Sequence, residues 1–182
     1  MKKLFILATL VLGMVSCSKM DDIFNGTDKE AIAPVSLEND YGTDLFSREE
    51  IHEIVPDLLR ENGIEVHSSL LVVSDQHPYA EAVVINDLST INEIAAKCDL
   101  ESKLTKGVFD EYSIIAGFYD CAMGGYSITN QRIKKNLDKI KLYLRIESTD
   151  LGVCAPCRTY FMALYPKLPS RPIKIYRSDL DN

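Results

Sequence analysis

Residues 112–147 read YSIIAGFYDCAMGGYSITNQRIKKNLDKIKLYLRIE, and the interpretation of this stretch decides the fold. From Ile140 to Glu147 the apolar side chains of Ile140, Leu142, Leu144 and Ile146 alternate with Lys141, Tyr143, Arg145 and Glu147. A period of two over eight residues marks a strand with one face buried and one in water. The turn KKNLD precedes it, and before that come two more strand-like runs, so strands are expected at 112–119, 125–133 and 140–147. A further β-branched and aromatic run, TYFMALY, places a strand at 158–164 that is apolar on both faces and reads as central, and PIKIY closes the domain. Short links between successive strands favour an antiparallel β-meander sheet.

Working outward, the stretch SREEIHEIVPDLLRENG from Ser47 to Gly63 reads as a helix. Ser47 and Glu50 have capping-box spacing, Ile51, Ile54, Val55, Leu58 and Leu59 recur every three or four residues, and Gly63 is placed as the stop. Pro56 inside the pattern predicts a kink or two short pieces. VHSSLLVVSD and AEAVVIND read as strands around the turn QHPY, and STINEIAAKC as a second helix capped by Ser89 or Thr90, with Cys98 on its apolar stripe. Two or three helices packed on one side of the sheet make an α+β domain over residues 47–182.

The amino terminus reads MKKLFILATLVLGMVSC. Lys2 and Lys3 precede the apolar run Leu4–Leu12, which has signal-peptide length and is shorter than the ~20 residues needed to cross a bilayer. Met14-Val15-Ser16-Cys17 then resembles a bacterial lipobox. Residues 1–16 are expected to be a lipoprotein signal peptide, with Cys17 lipidated and several acyl chains as a membrane anchor. Residues 17–46, polar and acidic, read as a flexible tether. Lys19, Asp21 and Asp22 resemble the export tags of surface-exposed Bacteroidetes lipoproteins, which favours outer-membrane display over a periplasm-facing position.

The chain has 182 residues and a formal charge of −7, and removal of residues 1–16 takes away two lysines and no acid, giving −9. Such a surface repels phosphate backbones and anionic lipid headgroups, so nucleic-acid binding is not expected. His52 opens HEIVP, where Pro56 replaces the second histidine of a zincin helix, and His67 and His77 are scattered elsewhere. No nucleophile elbow, phosphate loop or dinucleotide fingerprint is present, so neither a catalytic residue nor a cofactor or metal site is expected.

The cysteines are more informative. In GVCAPCRTYF, Cys154 and Cys157 form a CxxC, but a thioredoxin-like centre would open a helix, whereas this one precedes a strand. In a meander, alternate connections fall at the same end, so the loop after Cys121 shares a rim with the loop carrying Cys154 and Cys157. Exported proteins retain disulfides, and a bridge from Cys121 to either Cys154 or Cys157 is the leading expectation. A local Cys154–Cys157 bridge, unpaired thiols, a zinc site that includes Cys98, and a thiol-redox centre at Cys154 and Cys157 stay open.

The stretch from Tyr112 to about Tyr176, with its GGYSI motif, strictly alternating strand and Pro-flanked RPIKIY, resembles the C-terminal domain of the PrcB-like proteins. These are lipoproteins that associate with and stabilise a surface protease complex. Met123 stands where the family commonly has a small polar residue. The resemblance implies a non-catalytic extracytoplasmic module that binds or stabilises a protein partner, a protease complex being the family's example. Met123, Gly124, Gly125 and Tyr126 would form an adaptable apolar lip for that partner, and a sheet edge could accept an extended peptide. Glycan or small-molecule binding is the remaining alternative, with Tyr143 and Tyr176 on wet strand faces as its candidate residues.

Overall fold

The structure is a computed structural model, and it describes residues 22–35, 46–66, 79–98, 108–121, 126–148 and 157–179. Along these run α1 (Arg48–Glu61), β1 (Ala80–Ile85), α2 (Leu88–Lys97), α3 (Val108–Glu111), β2 (Tyr112–Cys121), β3 (Tyr126–Lys135), β4 (Ile140–Ser148), β5 (Cys157–Pro166) and β6 (Ile173–Asp179).

Local chemistry accounts for the helices. At the start of α1 the Glu50 amide donates to Ser47 Oγ at 3.2 Å while the Ser47 amide donates to the Glu50 carboxylate, the reciprocal capping box. The helix runs as one element through Pro56 and is not split into two pieces. The chain leaves it at Gly63, whose φ of +79° favours a residue without a Cβ. Helix α2 is capped by Asp87 and not by Ser89 or Thr90. Its carboxylate accepts from both of their amides, and their hydroxyls donate to it as well. An ionised carboxylate two positions before Ser89 and three before Thr90 outcompetes either hydroxyl for those donors.

The α+β class and the helices packed on one side of a sheet are as expected, but the strands are ordered differently from a meander. They form two sheets, β1-β2-β5 and β3-β4-β6. In the first, β2 is central and pairs antiparallel with β1 and β5, so β5 is an edge. In the second, β3 and β4 form the expected antiparallel hairpin, with a register shift between Ile128 and Asn130, and β4 pairs parallel with β6.

Burial explains the division. Strand β2 is buried from Ser113 to Cys121, on both faces. Its one face, with Ile114, Ala116 and Phe118, packs under α1 and α2 against Ile54, Leu58, Ile91 and Ile94. Its other face, with Ile115, Tyr119 and Cys121, packs on Ile133, Leu142, Leu144 and Ile146 of the second sheet. A single four-stranded meander would leave that second face in water. Folding the amphipathic β3–β4 hairpin back over it buries both apolar surfaces at ~25 cal/mol per Å². Gly117 makes the centre of the first sheet possible, because a Cβ there would lie 2.5 Å from Glu81 O and 2.5 Å from the Phe161 ring.

Part of the outward face of the second sheet, around Tyr143, is also covered. Residues 22–35, expected as part of the tether, pack as a strap across it. Ile23 and Phe24 are buried against Tyr143. Ile32 exchanges two backbone hydrogen bonds with Ile133, at 2.8 and 2.9 Å. Asp28 pairs with Lys134, which holds its carboxyl below the usual range.

Candidate partner-binding rim

Cys121 is the last residue of β2 and lies in register with Cys157, the first of β5. Tyr126, the first of β3, lies in register with Ser148, the last of β4. Connections 122–125 and 149–156 therefore both cross between the sheets at one end of the sandwich. The chain reaching β1 arrives at this end too, since Ala80 pairs with Tyr119. The shared border expected of a meander thus exists for the flanking residues, as the end of two stacked sheets. Of the sequence candidates, the structure brings together Cys121, Cys157 and the backbone of Tyr126. Met123, Gly124, Gly125, Cys154, His67, His77 and the expected lipidation residue Cys17 lie outside the described residues.

The bases of the two crossovers are fixed by groups that sequence reading missed. Asp120, with a fully buried side chain, receives Arg158 Nε on Oδ1 at 2.6 Å and Arg158 Nη2 on Oδ2 at 2.7 Å. The pair spans the β2–β5 ladder one step before the cysteines. Hydrogen bonding to Asp120 raises the Arg158 pKa above its already high normal value. The Arg158 guanidinium also lies 4.5 Å over the Phe118 ring, a cation–π arrangement in a water-poor setting. The aromatic patch continues through Tyr160 to His52 of α1, whose ring meets Tyr160 edge-on at 5.3 Å. Burial, then the nearby Arg48 charge, lowers the His52 pKa. Tyr79 donates to Glu81, and that bond, with burial, pushes its phenol up to about 12. On the opposite face, Arg177 Nη1 of β6 donates to Tyr119 Oη at 2.9 Å and ties the two sheets together. A lone acid in the apolar run FYDC and an arginine straight after the CxxC were the available signals for Asp120 and Arg158.

Cys98, Cys121 and Cys157 are thiols in the structure. Burial, followed by the adjoining Cys157 sulfur, pushes the Cys121 thiol up to about 12, so it is a poor nucleophile at neutral pH. Cys98 packs with the helical core, on the other side of β2 from Cys121, its Sγ 4.0 Å from Glu53 O. A zinc site that combines Cys98 with Cys121 would have to reach through the first sheet. Among the described residues, no group of three or more His, Cys, Asp or Glu side chains is placed to hold a metal ion.

Tyr143 and Tyr176 share one face of the second sheet, as their strand alternation implied, with rings stacked 5.2 Å apart at 19°. Tyr143 is only 9% exposed beneath the strap, which removes it from an open sugar-stacking surface. A cleft of about 500 Å³ beside the α2 N-terminus, lined by Asn86, Asp87, Ser89, Asn92, Phe109 and Lys167 among others, lies at the end of β1 away from the rim. No helix of the described residues is long and apolar enough to cross a membrane. No protein family, curated protein or solved structure matches this chain.

Proposed function

We propose that this chain is a lipid-anchored outer-membrane protein, displayed at the cell surface, whose non-catalytic domain binds and stabilises another protein through the rim at residues 121–126 and 148–157. The observation that carries this reading is the pinned base of the two crossovers. The Asp120–Arg158 pair and the Cys121–Cys157 register fix the stems from which both connections leave. Rigid stems let loops present side chains to a partner without losing much entropy on binding. The resemblance to PrcB-like proteins supports a protease complex as the partner, and the MVSC lipobox supports the anchor at Cys17.

The same reading assigns a disulfide between Cys121 and Cys157. Register partners on antiparallel strands have Cα atoms about 4.5–5.5 Å apart, within the usual disulfide span. The two thiols lose two protons and two electrons to a disulfide-bearing oxidant of the envelope, which is itself reduced to a dithiol. This bridge would staple the rim.

The test is site-specific photocrosslinking in the native envelope, with the probe at Tyr126 and, as a control, at Arg60 on the exposed face of α1. A discrete crosslink to a second protein from Tyr126 alone, lost on Met123→Asp in a folded variant, is the expected result. Recovery of only the lipoprotein itself from Tyr126 refutes the rim as a docking site.

A further inference from the structure

The strap changes what the anchor can do. It begins at Asp22, and Ile23 and Phe24, 4% and 5% exposed, are seated on the outward face of the second sheet. Only four residues lie between Cys17 and Asp22, and the five Cα–Cα steps span at most about 18 Å even when fully extended. A lipid on Cys17 would therefore hold this face, or its margin, against the bilayer.

That face has the chemistry of a membrane-apposed surface. Lys141 and Lys174 are register partners on β4 and β6, and Tyr143 and Tyr176 are the next outward pair. The two ammonium groups lie 6.0 and 5.2 Å from the Tyr176 ring centroid. Arg145 sits 5.0 Å over Phe24, and Arg132 lies opposite Tyr143 on β3. On a chain with formal charge −7, this is a local concentration of cations. Of the strap's acids, Asp28 pairs with Lys134 and Asp22 accepts from Thr27 Oγ1 at 2.9 Å, while Glu30 is exposed beside Lys29. Glu147, farther along β4, is the acid of the same alternation nearest the rim. Cations beside a tyrosine suit the headgroup layer, where ammonium groups meet lipid phosphates and the phenol spans the apolar boundary.

We infer that the outward face of the β3-β4-β6 sheet, centred on Lys141, Lys174 and Tyr176, lies on the anionic lipid headgroups of the membrane that holds Cys17. The inference rests on the lipid-anchored reading. The helical layer then points away from the bilayer, and the rim stands at the side, open to a neighbouring protein.

The chain contains no tryptophan, so a single introduced one reports its own surroundings. Full-length lipidated protein is reconstituted in vesicles of phosphatidylethanolamine and phosphatidylglycerol that carry a headgroup spin label. In Tyr176→Trp the fluorescence is expected to be strongly quenched, whereas in Arg60→Trp, on the helical layer, it is expected to stay unquenched. Adding Lys141→Glu and Lys174→Glu to the first variant should relieve the quenching, with circular dichroism confirming the fold. Equal or greater quenching in Arg60→Trp overturns the inference while leaving the anchor intact. The mass of the N-terminal peptide is read on the same sample. An unacylated Cys17 there overturns the lipid-anchored reading, and this inference with it.

Discussion

Asp120 and Arg158 face each other across the β2–β5 ladder and close a two-pronged ion pair at 2.6 and 2.7 Å, with the carboxylate out of contact with solvent. Removing one partner leaves the other charge buried and unpaired, which costs about 3–5 kcal/mol. Asp120→Ala should lower the urea midpoint accordingly. Arg158→Lys should restore little, because an ammonium cannot reproduce the fork or the stacking on Phe118. Equal stability of Asp120→Ala and the wild type would remove the pair as the anchor of the rim.

The rim cysteines offer a count. Denatured but unreduced protein from the envelope should show fewer reactive thiols than the same sample after reduction, and peptide mapping should recover residues 121 and 157 in one linked fragment. Cys157→Ser should lose about 2–4 kcal/mol under oxidising conditions, and almost nothing relative to wild type once both are reduced. A linked fragment joining Cys154 to Cys157 would exclude the assigned pairing.

Gly117 has no room for a methyl group, since a backbone carbonyl is among the atoms it would strike. Gly117→Ala is expected to destabilise the domain by about 1–3 kcal/mol through strain in the first sheet. A matched Ala116→Gly, on the helix-facing side of the same strand, should act by losing packing. Thermal unfolding with β2 intact in Gly117→Ala but at an unchanged midpoint would contradict the close approach.

Asp87 gives a pH signature. Hydrogen bonds from Ser89 and Thr90 hold its pKa down at about 2, against 3.8 for a free aspartate. A carboxyl whose pKa is lower when folded stabilises the fold above the unfolded pKa, and that contribution fades as pH falls through the folded one. Helix α2 should therefore loosen between about pH 4 and pH 2. Asp87→Asn should flatten this part of the stability profile, and hydrogen exchange at Ser89 and Thr90 is the direct readout. An unchanged profile would argue against the cap.

What could be read from the sequence was what neighbouring residues decide among themselves. The Ser47–Glu50 box and the β3–β4 hairpin are local, and their patterns specify them. Alternation in β4 told which side chains face the core, but it read Tyr143 as lying on a wet face, where the strap buries it. It carried no information about which strands lie alongside, so the β2–β5 and β4–β6 pairings escaped. The strap escaped for a related reason. Ile23, Phe24, Ile32 and Val35 show no period, and their burial depends on a surface built by residues more than a hundred positions away. At the rim, Asp120 and Arg158 become a pair only once the β2–β5 register is known.

Strand β6 occupies one side of β4, and β5 must return to β2 after the whole β3–β4 hairpin has intervened. Both pairings join parts of the chain made far apart in time. Until Ile173–Asp179 emerge, β4 presents a bare edge of amides and carbonyls to any passing strand. Molecules in which β6 is not yet made or has been clipped should therefore be the ones that clump, and quality control in the cell has its narrowest margin at that strand.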